Sequence, residues 1–225
     1  MADIASNIRL LRQEIPAHVK IVAVSKTKPV EDIMAAYEAG LRIFGENRVQ
    51  ELVSKKEILP SDIEWHLVGH LQTNKVKHLI PDVSLIHSAD SLRLIEAIDR
   101  ESEKYGRITD CLLQFHIASE ETKSGLTIDE AIILLESSGF REMKSVRICG
   151  VMGMATYTAD NGLVRREFRN LREYFNRLRE QFFKTKTSFS EISMGMSGDY
   201  GIAIEEGATI VRIGSLIFGE RGRRQ

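Results

Sequence analysis

Short apolar runs rich in valine and isoleucine alternate along the whole chain with longer stretches whose apolar residues recur at helical spacing. That alternation is the pattern of repeated βα units around a parallel sheet. It predicts strands over Lys20–Ser25, Arg42–Gly45, Glu64–Val68, Leu85–His87, Asp110–Ile117, Arg147–Met152, Glu191–Met194 and Thr209–Ile213. About eight such strands close a barrel. Helices are expected over Val30–Ala39, Val49–Ile58, Asn74–Leu79, Ser91–Tyr105, Ile128–Ser137, Leu163–Phe183 and Gly201–Glu206. A first segment, Ile4–Glu14, has Ile4, Ile8 and Leu11 on one helical face and is expected to cover the barrel floor. No linker divides the chain, and only "SEETKSGLT" and "TYTADNG" read as longer loops. The expected fold is α/β: a single (β/α)8 TIM-type barrel over residues 1–225, with an open doubly wound sheet as the structural alternative.

Composition narrows the function. A chain of 225 residues, 43% hydrophobic and 28% charged with a formal net charge of -1, has the profile of a soluble globular protein. Near-neutral charge gives no support for a nucleic-acid or acidic-membrane partner, and the basic end "GERGRRQ" reads as a solvated terminus. The start "MADIASNIRLLRQEIP" lacks the apolar core of a signal peptide, and no run approaches the ~18 apolar residues that span a bilayer. A cytoplasmic location is the expectation. The two cysteines, Cys111 and Cys149, lie inside apolar runs without metal-ligand spacing and read as buried fillers.

A parallel barrel places its active site at the C-terminal ends of its strands and often builds a phosphate site from the loops after the last two. Here those loops are "SMGMSGDYG" and "RIGSLIFG". Glycine lets the backbone approach a phosphate, while free N–H groups and a serine hydroxyl supply hydrogen bonds. Ser197 precedes a short helical stretch, so it serves that helix, a phosphate, or both; Gly214 and Ser215 offer N–H groups from the second loop. A tight βα turn explains either loop alone, but two in the expected places favour an anion cradle.

Lys26 of "IVAVSKTKP" ends the first strand and faces the same mouth. An amine among apolar neighbours can attack an aldehyde to form a Schiff base, although a strand-end lysine also commonly snorkels to water. Lys28 points to the same side but already precedes Pro29 and the next helix. A lysine and a phosphate cradle on one barrel mouth match the needs of pyridoxal phosphate. Arg212 of "VRIGS" then reads either as a partner of the pyridine nitrogen, which it would leave unprotonated, or as a phosphate ligand or rim ion pair.

The segments "AVSKTKP", "FGENRVQE", "WHLVGHLQTNK", "SMGMSGDYGIAIEEGATIVRIGSLIFGER" and, more loosely, "EETKSG" resemble the motifs of the pyridoxal phosphate homeostasis proteins, also called proline synthase co-transcribed homologues. The match runs in order from about Ile21 to Arg221. The resemblance implies a barrel like the N-terminal domain of alanine racemase, with pyridoxal 5'-phosphate held as an aldimine on Lys26. It further implies Asn47 near the ring, Ser197, Gly214 and Ser215 on the phosphate, Arg212 at the pyridine nitrogen, and Met194, Gly195 and Met196 lining the pocket. The implied role is binding, buffering and delivery of the cofactor, with effects on amino-acid and keto-acid balance and no established turnover. The implied partners are the cofactor and apo-enzymes that use it, the chain acting as a monomer or weak homodimer. One departure is that Phe115 and His116 stand where many relatives have a smaller aliphatic residue and asparagine.

Other candidates weigh less. His66 and His70 have the spacing of a helical metal pair but sit on a strand running into a loop, which separates them. His70 reads as a surface or mouth residue, and His87 carries the same ambiguity. Met152, Met154, Met194 and Met196 cluster at neighbouring strand ends, where core packing is the usual explanation and pocket lining the second. No catalytic role is assigned to Glu46, Glu51, Asp199 or Glu205. The rival to a binding protein is an amino-acid racemase or lyase, which needs a second base; alanine racemase takes a tyrosine from an added β-domain, which is not expected here because the chain ends soon after the last barrel strand. A sugar-phosphate aldolase is a third option, although such barrels usually carry the lysine on a later strand.

Overall fold

A computed structural model describes residues 3–119 and 125–219, so part of "EETKSG" and most of the basic tail lie outside the described residues. Eight strands pair in parallel in chain order, and the last returns to the first to close a barrel. They are β1 (Lys20–Val24), β2 (Ile43–Glu46), β3 (Glu64–Leu67), β4 (Leu85–Ala89), β5 (Thr109–His116), β6 (Val146–Met154), β7 (Glu191–Ser193) and β8 (Ile210–Ile213). Closure is made by β1 against β8, with Lys20 beside Ile210 and Val22 beside Arg212.

The helices are α1 (Ile4–Glu14), α2 (Val30–Glu38), α3 (Val49–Lys56), α4 (Val76–Leu79), α5 (Leu92–Lys104), α6 (Ile128–Glu136), α7 (Ser138–Glu142), α8 (Asn161–Phe182), α9 (Tyr200–Glu205) and α10 (Ser215–Phe218). Their starts follow local chemistry. Thr127 and Glu130 form a reciprocal capping box on α6, and the Asp160 carboxylate accepts the Leu163 amide at the start of α8. The long α8 buries Val164, Phe168, Leu171, Phe175 and Leu178, a helical stripe against the barrel wall.

Two apolar regions result. The larger fills the space between sheet and helices, and the smaller, built from Val22, Leu85, Leu112, Cys149, Met152 and Ile210, plugs the barrel interior. The barrel is therefore a packed core and not a pore. Ile4, Ile8 and Leu11 belong to the outer region, and Asn7 Nδ2 donates to the Ile217 carbonyl of α10 at 3.0 Å. This corrects the expected position of α1: it stands in the outer ring beside α2 and α10, not across the floor. An apolar stripe serves either position, so spacing alone did not choose between them.

Most element ends differ from expectation by a residue or two, the ordinary uncertainty of frayed ends. Two differences matter for the site. β4 runs on to Ala89, which puts His87 inside the strand, and the turn after β8 continues into the unforeseen helix α10.

Candidate functional site

Val22 and Val24 alternate into the barrel, and the same parity carries Lys26 to the mouth just past the end of β1, where it is half-buried. The turn holding it is built from beneath. Lys55 Nζ donates to the Ser25 carbonyl at 2.9 Å and to carboxylates of Glu46 and Glu51 at 2.7 Å each. Ser25 Oγ donates to Glu46 Oε1 at 2.6 Å, and the Thr27 amide donates to Glu51 Oε1 at 2.6 Å. Thr27 has a φ of 64°, a conformation a β-branched residue rarely adopts and surrounding contacts must impose. Burial raises the Glu46 pKa above the usual carboxylate value against the opposing bonds from Lys55 and Ser25. Burial acts the same way on Glu51, but there the bonds from Lys55 and the Thr27 amide prevail and the pKa falls.

Across the mouth, Ser197 Oγ faces the amides of Gly214 at 3.3 Å and Leu216 at 3.5 Å. Its hydroxyl thus bridges to the start of α10 and does not cap α9, whose N-cap is Asp199. Gly214 lies against β1: a Cβ there would stand 3.3 Å from the Val24 carbonyl oxygen. The phosphate-type loops and the strand carrying Lys26 therefore adjoin each other.

Arg212 projects into the barrel below this cradle and is 5% exposed. Its Nη1 donates to the Ser193 carbonyl at 2.9 Å and to Ser193 Oγ at 2.7 Å, and its Nη2 donates to the Gly153 carbonyl at 3.0 Å. Burial lowers its pKa to about 10, against the pull of the Asp199 charge, so it stays cationic at neutral pH. The Asp199 carboxylate accepts the Met196 amide at 2.5 Å, and burial raises its pKa.

These groups surround one cavity of about 510 Å³. Over residues 1–222 the chain matches the family described as alanine racemase, N-terminal domain. It is 43% identical over 203 residues to the pyridoxal phosphate homeostasis protein of Aquifex aeolicus strain VF5, covering 90% of this chain and 87% of that one. It is 39% identical over 212 residues to the protein of the same name from Synechocystis sp. PCC 6803, covering 92% and 94%. The chain belongs to the pyridoxal phosphate homeostasis protein family. Among solved structures, PipY of Synechococcus elongatus PCC7942 with pyridoxal phosphate bound has a TM-score of 0.86 at 35% identity, covering 96% of this chain and 100% of that one. Alanine racemase of Clostridium difficile 630 has a TM-score of 0.75 at 14% identity, covering 99% of this chain and 57% of that one, a likeness of fold alone.

In this member of the homeostasis family, seven of the residues singled out by sequence line the cavity: Lys26, Asn47, Met196, Ser197, Arg212, Gly214 and Ser215. Met194 and Gly195 do not. The Met194 side chain is fully buried in the outer core, and Gly195, at φ +90°, is pressed against α9, where a Cβ would meet Ala203 Cβ at 2.6 Å. The four methionines have three different surroundings. Met152 plugs the barrel, Met194 packs outside it, and Met154 and Met196 line the mouth.

Sequence reading missed Val68, Thr156, Tyr157 and Asp199 in the cavity wall. Tyr157 and Thr156 lie on the loop after β6, and spacing alone does not reveal that the half-buried Asp199 reaches the mouth. Lys28 also lines the cavity, and its Nζ donates to the Phe218 carbonyl at 2.9 Å. His66 is buried inside the barrel while His70 is exposed and pairs with Asp90 at 3.6 Å, so the two do not form a metal pair.

Proposed function

We propose that this protein binds pyridoxal 5'-phosphate at the barrel mouth with Lys26 as its covalent tether, and that it buffers and delivers the cofactor in the cytoplasm. The observation that carries this reading is the convergence of Lys26, the Ser197 and Gly214 cradle and the buried cation Arg212 on one cavity. The residues fit the group. A phosphate takes N–H and hydroxyl donors, which Ser197, Gly214 and Ser215 supply; a pyridine ring needs apolar walls, which Val24, Val68 and Met196 supply. When bound, the cofactor supplies an aldehyde that a lysine amine can capture reversibly, and an electron-withdrawing ring.

Lys26 would supply the amine that captures the aldehyde, Asn47 would contact the ring, and Arg212 would serve the ring nitrogen as a group that donates and does not give up its proton. Such a partner leaves the ring a weaker electron sink, which suits a holder of the cofactor more than a catalyst of turnover. Apo-enzymes that use the cofactor are the proposed recipients, linking the protein to amino-acid and keto-acid balance.

One observation favours testing the racemase alternative: among the described residues, Tyr157 is the tyrosine in the cavity wall. It is 96% exposed on the loop after β6, and among the described residues no hydrogen bond orients it as a base. Borohydride reduction of the yellow protein and peptide mass analysis is expected to place a pyridoxyl group on Lys26. A colourless protein from cofactor-rich cells, or a label mainly on another lysine, overturns the binding claim. Multiple-turnover α-deuterium incorporation into amino acids in deuterated water, lost in Tyr157→Phe, would establish the racemase instead.

A further inference from the structure

Behind Arg212, a line of buried polar side chains crosses the barrel. Ser193 Oγ, which accepts from Arg212 Nη1, lies 3.0 Å from His87 Nδ1, and His87 Nε2 lies 3.0 Å from His66 Nδ1. Ser193, His87 and His66 are 0%, 0% and 4% exposed. His66 in turn borders a cavity of about 320 Å³ at the opposite, N-terminal end of the barrel. Four side chains from four strands thus join the mouth to the floor.

The direction of this chain follows from its first member. A guanidinium only donates, so Ser193 Oγ accepts from it and has one proton of its own to give. The near acceptor for that proton is His87 Nδ1. His87 then carries its own proton on Nε2 and donates to His66 Nδ1, leaving the His66 proton on Nε2. A second proton on either imidazole would set two donors against each other. Both rings are held neutral: burial, with the Lys20 charge, lowers the His66 pKa to about 3, and burial, with His66 and Arg212, pushes His87 well below its ordinary value. The other ionisable groups around the floor cavity are Glu64, Asp110, Arg147, Cys149 and Glu191, and the two arginine and lysine charges there are paired, Arg147 with Asp110 and Lys20 with Glu191.

We infer that His87, backed by His66, is a positioning residue for the cofactor ring, acting through Ser193 to fix the Arg212 guanidinium so that its remaining N–H groups face the mouth. The inference rests on the proposed binding of pyridoxal phosphate. Without His87, the Ser193 hydroxyl loses its acceptor and is free to rotate. When that side chain turns away, the guanidinium keeps only the Ser193 and Gly153 carbonyls, and its presentation to the ring nitrogen loosens.

Two measurements test it. In the protein without cofactor, long-range ¹H–¹⁵N spectra, assigned with His66→Gln and His87→Gln, are expected to show both rings as neutral Nε2–H tautomers from pH 8 to pH 5. A protonated His87 Nδ1 overturns the chain. In the cofactor-loaded protein, His87→Phe and Ser193→Ala are each expected to shift the visible absorption maximum and weaken pyridoxal phosphate binding about tenfold. His87→Gln, whose amide carries both an acceptor and a donor, is expected to restore both properties. If a folded Ser193→Ala or His87→Phe protein keeps the wild-type spectrum and affinity, the positioning role is overturned. If wild-type protein takes up no cofactor, the reading of the mouth fails and the positioning role with it, while the tautomer spectra still decide whether the chain exists.

Discussion

Lys55 Nζ stands 2.9 Å from the Ser25 carbonyl and 2.7 Å from Glu46 Oε1, so one buried ammonium ties the end of β1 to a buried carboxylate on β2. The Lys26 turn is consequently a product of residues on three neighbouring elements, not of its own sequence. A strained Thr27 persists because its amide is held by Glu51, which Lys55 also grips.

Removing the ammonium leaves the Glu46 carboxylate without its counter-charge, and its Oε2 already lacks a partner among the described residues. Lys55→Met is expected to destabilise the protein by about 3–5 kcal/mol, the cost of breaking a buried ion pair from one side. Urea unfolding checks this. Lys55→Met/Glu46→Gln is expected to recover a good part of the loss, since the unpaired charge goes with the carboxylate; equal losses in both variants would refute the account.

Ser197→Ala tests the proposed phosphate contact apart from the rest of the site. The hydroxyl is expected to contribute to pyridoxal phosphate but not to pyridoxal, which shares the aldehyde and ring and lacks the phosphate. Titrations followed by absorbance are expected to show about fivefold to tenfold weaker binding of the phosphate ester, as for loss of one bond to a charged group, with pyridoxal unchanged. An equal loss for both ligands places Ser197 elsewhere in the site.

Gly195 supports the Met196–Ser197 loop from behind. At φ +90°, and with a would-be Cβ 2.6 Å from Ala203 Cβ, alanine cannot fit without moving α9 or the backbone before Met196. Gly195→Ala is expected to cost about 1–3 kcal/mol of stability by thermal or urea unfolding and to weaken phosphate binding through the displaced loop. A variant as stable as wild type would show that the loop relaxes freely.

Much of this was legible in the sequence because it obeys periodicity. Continuous apolar runs marked the strands, and their parity placed Val22, Val24 and Lys26 on one side; glycine and serine after the last two strands marked the loops that meet at Ser197 and Gly214 in the mouth. What the sequence did not show depends on burial brought about by closure. Glu46 and Lys55 look like ordinary surface charges of a strand end and a helix, and only the docking of α3 on β2 buries them together. His87 looked like a strand-end residue until β4 proved two residues longer, and its partners His66 and Ser193 come from strands whose adjacency in the interior no local pattern records. The position of α1 was missed for a related reason, since one apolar face suits a floor and a wall equally.

The two buried histidines also set an acid limit on stability. Their folded pKa values lie below the ordinary 6.5, about 3 for His66 and lower than ordinary for His87. Above pH 6.5 neither state binds the extra proton and they contribute no pH dependence. As pH falls through 6.5 the unfolded chain takes up protons that the folded chain refuses, so stability is lost, by about 1.4 kcal/mol per pH unit for each histidine, until the folded pKa is reached. Glu46 acts in the opposite sense, because a raised carboxylate pKa favours the folded state on acidification. The comparison is therefore made against a His66→Gln/His87→Gln variant, which keeps Glu46. Urea unfolding from pH 6.5 to pH 4 is expected to give a slope of stability against pH that is shallower in the variant, by about 1.4 kcal/mol per unit for His66 over the lower part of that range and by a further contribution of the same sign from His87. Parallel slopes would mean that the two rings accept protons in the folded barrel, and that burial does not keep them neutral.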